Sequence, residues 1–125
     1  KETNSAYKIK QIEFSNTSKV YKIDGFGTND EIEIKLDGKT GAVLNQNSDR
    51  LDNDNVEISD KHLDAIDQFV EMALNDAGDH YNLKQWELDY DNNRYEIEIE
   101  LIDKNHKDID YTYNIETEEL IKKDM

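Results

Sequence analysis

The sequence predicts an α+β domain in which one helix packs on an antiparallel β-meander, and three observations lead there. Apolar and polar residues alternate with period two in several short segments separated by turn residues. One segment instead carries an apolar stripe at helical spacing between a capping serine and a glycine. The pattern of the C-terminal strands also recurs near the N-terminus.

Taken in order, Tyr7 to Phe14 reads as a strand whose apolar parity switches between Ile9 and Ile12, which predicts a bulge near Lys10-Gln11. A polar turn at Ser15–Ser18 leads to Val20-Tyr21-Lys22-Ile23. Gly25 and Gly27 mark a loop before the period-two strand Glu31–Leu36. Asp37-Gly38-Lys39-Thr40-Gly41 is a tight-turn sequence, and Ala42-Val43-Leu44 resumes a strand. Residues 45–55, rich in Asn, Asp and Ser, read as a linker.

Ser59 then has the chemistry of an N-cap, with Asp60 in the first turn where the helix dipole favours negative charge. Ile58 and Leu63 are spaced as a hydrophobic staple. Leu63, Ile66, Phe69, Val70, Ala73, Leu74 and Ala77 form one stripe, and Gly78 closes the helix. Beyond it Trp86, Leu88 and Tyr90 alternate, Asp91-Asn92-Asn93 turns, and Tyr95, Ile97, Ile99 and Leu101 alternate with Glu96, Glu98 and Glu100. Ile109, Tyr111, Tyr113 and Ile115 follow a second turn, and Leu120-Ile121 reads as a short final strand. The expected core is Leu63, Ile66, Val70, Leu74, Trp86, Leu88, Ile97, Ile99, Ile109 and Tyr111.

Ile9–Phe14 matches Leu83–Leu88, and Tyr21-Lys22-Ile23 matches Tyr95-Glu96-Ile97, both at an offset of 74 residues. After a three-residue insertion in the second hairpin the offset becomes 77, pairing Ile32 with Ile109, Ile34 with Tyr111 and Thr40 with Thr117. This predicts a doubled supersecondary unit, residues 1–50 contributing strands only and residues 56–125 a helix plus sheet.

Ile58-Ser59, the helix with Ala65, Ala73-Leu74 and Ala77-Gly78, the three alternating strands, and the closing turn written Asp37-Gly38-Lys39-Thr40-Gly41-Ala42-Val43-Leu44 in the first half together resemble the PepSY family. The first copy lacks the family's leading helix, which is either absent or trimmed away. The second departs at Asn114–Glu119, which has no turn glycine. The resemblance implies an extracytoplasmic bacterial module, secreted or lipid-anchored at the cell surface, that binds a protein or peptide and restrains or modulates a secreted peptidase. A chain starting at Lys1 rather than Met fits loss of an export signal or lipid-attachment cysteine.

Thirty acidic residues against fifteen basic ones give a net charge of −15. No Lys/Arg cluster offers the basic stripe that nucleic acid requires, and an anionic membrane surface would repel this chain. No apolar run approaches the ~20 residues of a membrane span. The absence of cysteine excludes thiolate chemistry and disulfides. His62, His80 and His106 lack metal-ligand spacing and read as surface residues. Asp89–Glu100 has carboxylates at calcium-loop intervals but Arg94 where the loop needs glycine, so a polar β-turn is expected. Asp24–Thr28 has two glycines and no following helix, so it is no phosphate cradle. These readings predict a non-enzymatic protein with no catalytic residue, cofactor or metal.

One surface is singled out. Glu31 and Glu33 correspond to Asp108 and Asp110 in the second half, and with Glu96, Glu98 and Glu100 they form a candidate acidic binding face for a basic partner. The same carboxylates would also serve solvation and guard a sheet edge. The main alternative is an envelope domain that senses a ligand or cation with them directly.

Overall fold

A computed structural model describes residues 7–51 and 55–125. The strands are β1 (Lys8–Ser15), β2 (Val20–Phe26), β3 (Asp30–Asp37), β4 (Val43–Arg50), β5 (Tyr81–Asp91), β6 (Arg94–Asp103), β7 (Asp108–Asn114) and β8 (Leu120–Asp124). The helices are α1 (Asp60–Asp64) and α2 (Ile66–Ala77). All eight strands form one antiparallel sheet in the order β4-β3-β2-β1-β5-β6-β7-β8.

This corrects the expected class. About 55% of the described residues lie in strands and 15% in helix, so the architecture is predominantly β, with one short helical segment laid on part of a large sheet. Two misreadings account for the difference. The expected linker at 45–55 is largely strand: β4 continues to Arg50 as an edge strand paired with β3 from Leu36↔Val43 to Asp30↔Arg50. Its Asn, Gln and Ser side chains are all exposed, so no burial pattern betrayed it. Leu120-Ile121 likewise extends to Asp124.

The register explains how the halves join. Across β1 and β5, Ile12 faces Leu88, Glu13 faces Glu87 and Phe14 faces Trp86. Glu13 and Glu87 are counterparts at the offset of 74, so the two equivalent strands cross at equivalent residues, as a pseudo-twofold axis there requires. The parity switch at Ile9–Ile12 is a register shift between Ile9 and Gln11, and its counterpart falls between Leu83 and Gln85. A further matched pair of shifts occurs at Lys35/Leu36 and Thr112/Tyr113.

The closing turns agree as well. Asp37 Oδ1 accepts from the amides of Lys39 and Thr40, and Asn114 Oδ1 accepts from those of Glu116 and Thr117. Gly41 has φ +76° and Glu118 φ +65°. The glycine missing from the second turn is therefore replaced by a glutamate held in the left-handed region, with its amide bonded to the Asn114 carbonyl.

Helix α2 packs on β5, β6 and β7. The core beneath it contains Ile58, Ile66, Phe69, Ala73, Trp86, Leu88, Ile97, Ile99, Leu101, Ile109, Tyr111, Tyr113 and Ile115. Leu63, Val70 and Leu74, expected at its centre, are half-buried at its margin, because Phe69 and Ala73 point most directly at the sheet. The expected single helix is broken at Ala65 (ψ −9°). The break turns α1 so that His62 enters the interior at 4% exposure.

Candidate functional site

Residues paired directly across antiparallel strands share a face, so the register sorts every side chain. The face away from α2 carries Glu31 and Glu33 of β3, Glu96, Glu98 and Glu100 of β6, and Asp108 and Asp110 of β7. All seven residues singled out in the sequence therefore lie on one surface. They fall in two groups, separated by β2, β1 and β5. The strands between contribute Asp24, Glu13, Glu87 and Asp89.

These central carboxylates are what the sequence reading missed. Their signal was available in the matched segments Gln11-Ile12-Glu13 and Gln85-Trp86-Glu87, but only pairing of the two copies to each other makes Glu13 and Glu87 neighbours. One row across the sheet reads Lys22, Glu13, Glu87, Glu98, Thr112. The next reads Asp24, Gln11, Asp89, Glu96. Directly opposed side chains in such rows stand about 4.5–5.5 Å apart, where like charges repel.

The flanks are neutralised and the centre is not. Lys10 Nζ lies 2.7 Å from Glu31 Oε1, and Lys22 Nζ lies 3.4 Å from Glu33 Oε2 and 3.9 Å from Glu13. Lys84, the counterpart of Lys10, lies 3.4 Å from Glu100 and 3.6 Å from Asp108. Arg94 Nε holds Glu96 at 2.7 Å. Among the described residues no salt bridge reaches Glu87, Asp89, Glu98 or Asp110.

Protonation is shifted accordingly. Burial, followed by repulsion from Asp89, Glu13 and Glu98, pushes the Glu87 carboxyl up to about 7, against a weaker opposing hydrogen bond from Gln11. Burial, then Asp91, Glu96 and Glu98, raises Asp89 to about 6. Burial also raises Glu100, which shares a hydrogen bond with Asp108, and Asp110, beside Asp108 and Asp124. A shallow depression lined by Gln85, Trp86, Glu87, Glu98, Glu100 and Asp110 marks the centre of this face. Asp110 Oδ1 is buried there without a partner among the described residues.

No group of three or more His, Cys, Asp or Glu among the described residues is arranged to hold a metal ion. Asp89–Glu100 runs along the β5–β6 hairpin, whose tip Asn92-Asn93 has two positive φ values; it is not a cation loop. His62, expected at the surface, is stacked on Tyr95 with ring centroids 3.9 Å apart. Its Nδ1 accepts from the Ser59 amide at 3.2 Å, and its Nε2 lies 3.2 Å from Glu116. It completes the helix cap and ties α1 to the β7–β8 turn. No helix among the described residues is long and apolar enough to cross a membrane.

No family model matches this sequence, and no curated protein matches it either. A solved structure from Clostridium difficile 630, described as a "putative lipoprotein", shares the fold with a TM-score of 0.69 and 21% identity, over 95% of this chain and 82% of that one.

Proposed function

We propose that this chain is a non-catalytic, extracytoplasmic binding module of the PepSY type, which engages a basic segment of a protein or peptide through its acidic sheet face. The carrying observation is the row Glu13–Glu87–Glu98, in which three carboxylates are set in register at the centre of the sheet, with Lys22 beside Glu13 at one end and no salt bridge to Glu87 or Glu98 among the described residues. Folding alone gives no reason to collect them there, since each neighbour pushes the next toward protonation. A lysine- or arginine-rich segment laid across the row would relieve that repulsion. Its attraction would be steered by the net charge of −15. The lipoprotein description of the fold neighbour supports a place at the cell surface, lipid-anchored or secreted. The PepSY resemblance makes a secreted peptidase the partner.

The test is titration of the chain with a lysine-rich peptide at rising ionic strength, alongside the double variant Glu87→Gln/Glu98→Gln. Saturable binding that weakens with salt, and at least about tenfold in the variant, supports the acidic face. Equal binding by wild type and variant removes it. Adding the module to secreted peptidases of the producing bacterium then checks modulation of turnover, expected for wild type and diminished for the variant.

A second reading, direct cation sensing, draws on the Asp110 oxygen that is buried without a partner among the described residues. Calcium at millimolar concentration should raise the melting temperature if it holds; an unchanged melt discards it.

A further inference from the structure

The twofold relation of the two halves builds a conflict into the acidic face. Where β1 crosses β5 counterpart residues meet, so Glu13 of the first copy stands opposite Glu87 of the second. A carboxylate held at that position in both copies confronts its own duplicate. Strand β6 then sets Glu98 on the other side of Glu87 and Glu96 beside Asp89. Opposed side chains on antiparallel strands stand about 4.5–5.5 Å apart. At that range, in a half-buried row, neighbouring carboxylates drive one another to take up protons.

The surroundings do little to neutralise them. Glu87 is faced by Glu13 from β1, by Glu98 from β6 and by Asp89 on its own strand. The Gln11 amide of β1 donates to Glu87 Oε2 and fixes that carboxyl in the row. Asp89 is faced by Gln11 from β1, by Glu96 and Glu98 from β6 and by Asp91 on its own strand. The nearby cations are committed elsewhere: Lys22 to Glu13 and Glu33, Lys84 to Glu100 and Asp108, Arg94 to Glu96. Helix α2 lies on the opposite face and contributes no charge here. A bound proton and a bound cation both relieve the conflict, and they compete for the same oxygens.

We infer that the Glu13–Glu87–Glu98 row and the adjoining Asp89 form a proton gate on the acidic face, which holds a basic partner when these carboxylates are ionised and releases it when they are protonated. The inference rests on the acidic-face reading above and adds its regulation. Glu87 titrates at about 7 and Asp89 at about 6, so the discharge falls in the mildly acidic range. Lysine and arginine side chains of a partner stay charged throughout it and then meet neutral acids instead of anions. Docking at higher pH must expel whatever protons the row still holds. Folding responds in the opposite sense, because protonation relieves repulsion within the sheet. The fold is therefore firmest where the grip is weakest, which separates release from unfolding.

The test titrates the full chain with a lysine-rich peptide at pH 8, 7, 6 and 5.5 and constant ionic strength, with the melting temperature taken at each pH. Affinity should fall at least about tenfold from pH 8 to 5.5, as a single linked carboxylate titrating near 7 requires, while the melting temperature does not fall. The double variant Glu87→Gln/Asp89→Asn should bind more weakly at pH 8 and lose most of the pH dependence. Carbon-13 NMR of the Glu87 and Asp89 carboxyl groups supplies a readout that needs no peptide. Their midpoints should lie above the ordinary carboxylate range in the free chain and move down when peptide saturates the face. Ordinary midpoints, equal affinity at pH 8 and 5.5, or a pH dependence unchanged in the variant would each overturn the gate and leave the acidic face standing. Absence of saturable binding at every pH removes the gate together with the reading beneath it.

Discussion

Two halves of one sheet carry the same strand order, the same bulges and the same closing turn, but they are stabilised differently. In the β5–β8 half the helix covers a buried core; in the β1–β4 half the equivalent aliphatic row is only half-buried. Strand geometry here does not depend on the helix. It is set by ladder hydrogen bonds and local turn chemistry, while the depth of burial is set by what lies on top.

The largest expected effect comes from matched truncations. Ile97→Ala should cost about 2–5 kcal/mol, as for a fully buried aliphatic side chain, while Ile23→Ala at the counterpart position should cost roughly 1 kcal/mol or less, since little area leaves water. Urea unfolding of both variants measures the gap. Equal losses would mean that the first half is sealed as well as the second.

A smaller effect concerns pH. Glu87 titrates near 7 and Asp89 near 6 when folded, above their ordinary values when unfolded. Between those limits the folded chain binds more protons, so stability is greatest below the unfolded values and falls as pH rises through about 6–7. Melting temperatures across pH 4.5–8 should show this decline, with Glu87→Gln flattening it. A rise over the same interval would contradict the crowding of carboxylates.

The smallest effect is in the turns. Glu118→Gly should stabilise by ~1 kcal/mol, because a non-glycine residue at φ +65° carries a steric cost. Gly41→Ala should destabilise by a similar amount. Opposite signs in thermal melts would sharpen the equivalence of the two turns.

Much of this was legible in the residues. The bulge at Lys10 broke an otherwise clean alternation, and the α2 stripe and the offset matches pointed to the right elements. The acidic face was half legible: alternation placed Glu96, Glu98 and Glu100 on one side, but nothing local puts Glu13 beside Glu87, since 74 residues separate them. The length of β4 was hidden because an edge strand with both sides wet has no hydrophobic period to read. His62 was misplaced because its burial depends on the break at Ala65 and on Tyr95, which the helical stripe does not encode. The class was misjudged for the same reasons: a helix with strong local signals outweighed strands with weak ones.

Eight strands side by side do not make a flat plate. Each step between neighbours rotates by about 20–25°, so seven steps turn the outermost strands by roughly 150° relative to one another, and the charged side becomes a saddle. A rigid rod could touch only its middle, where Glu87 and Glu98 sit. Anything that reached both Glu31 and Asp108 would have to bend along the twist.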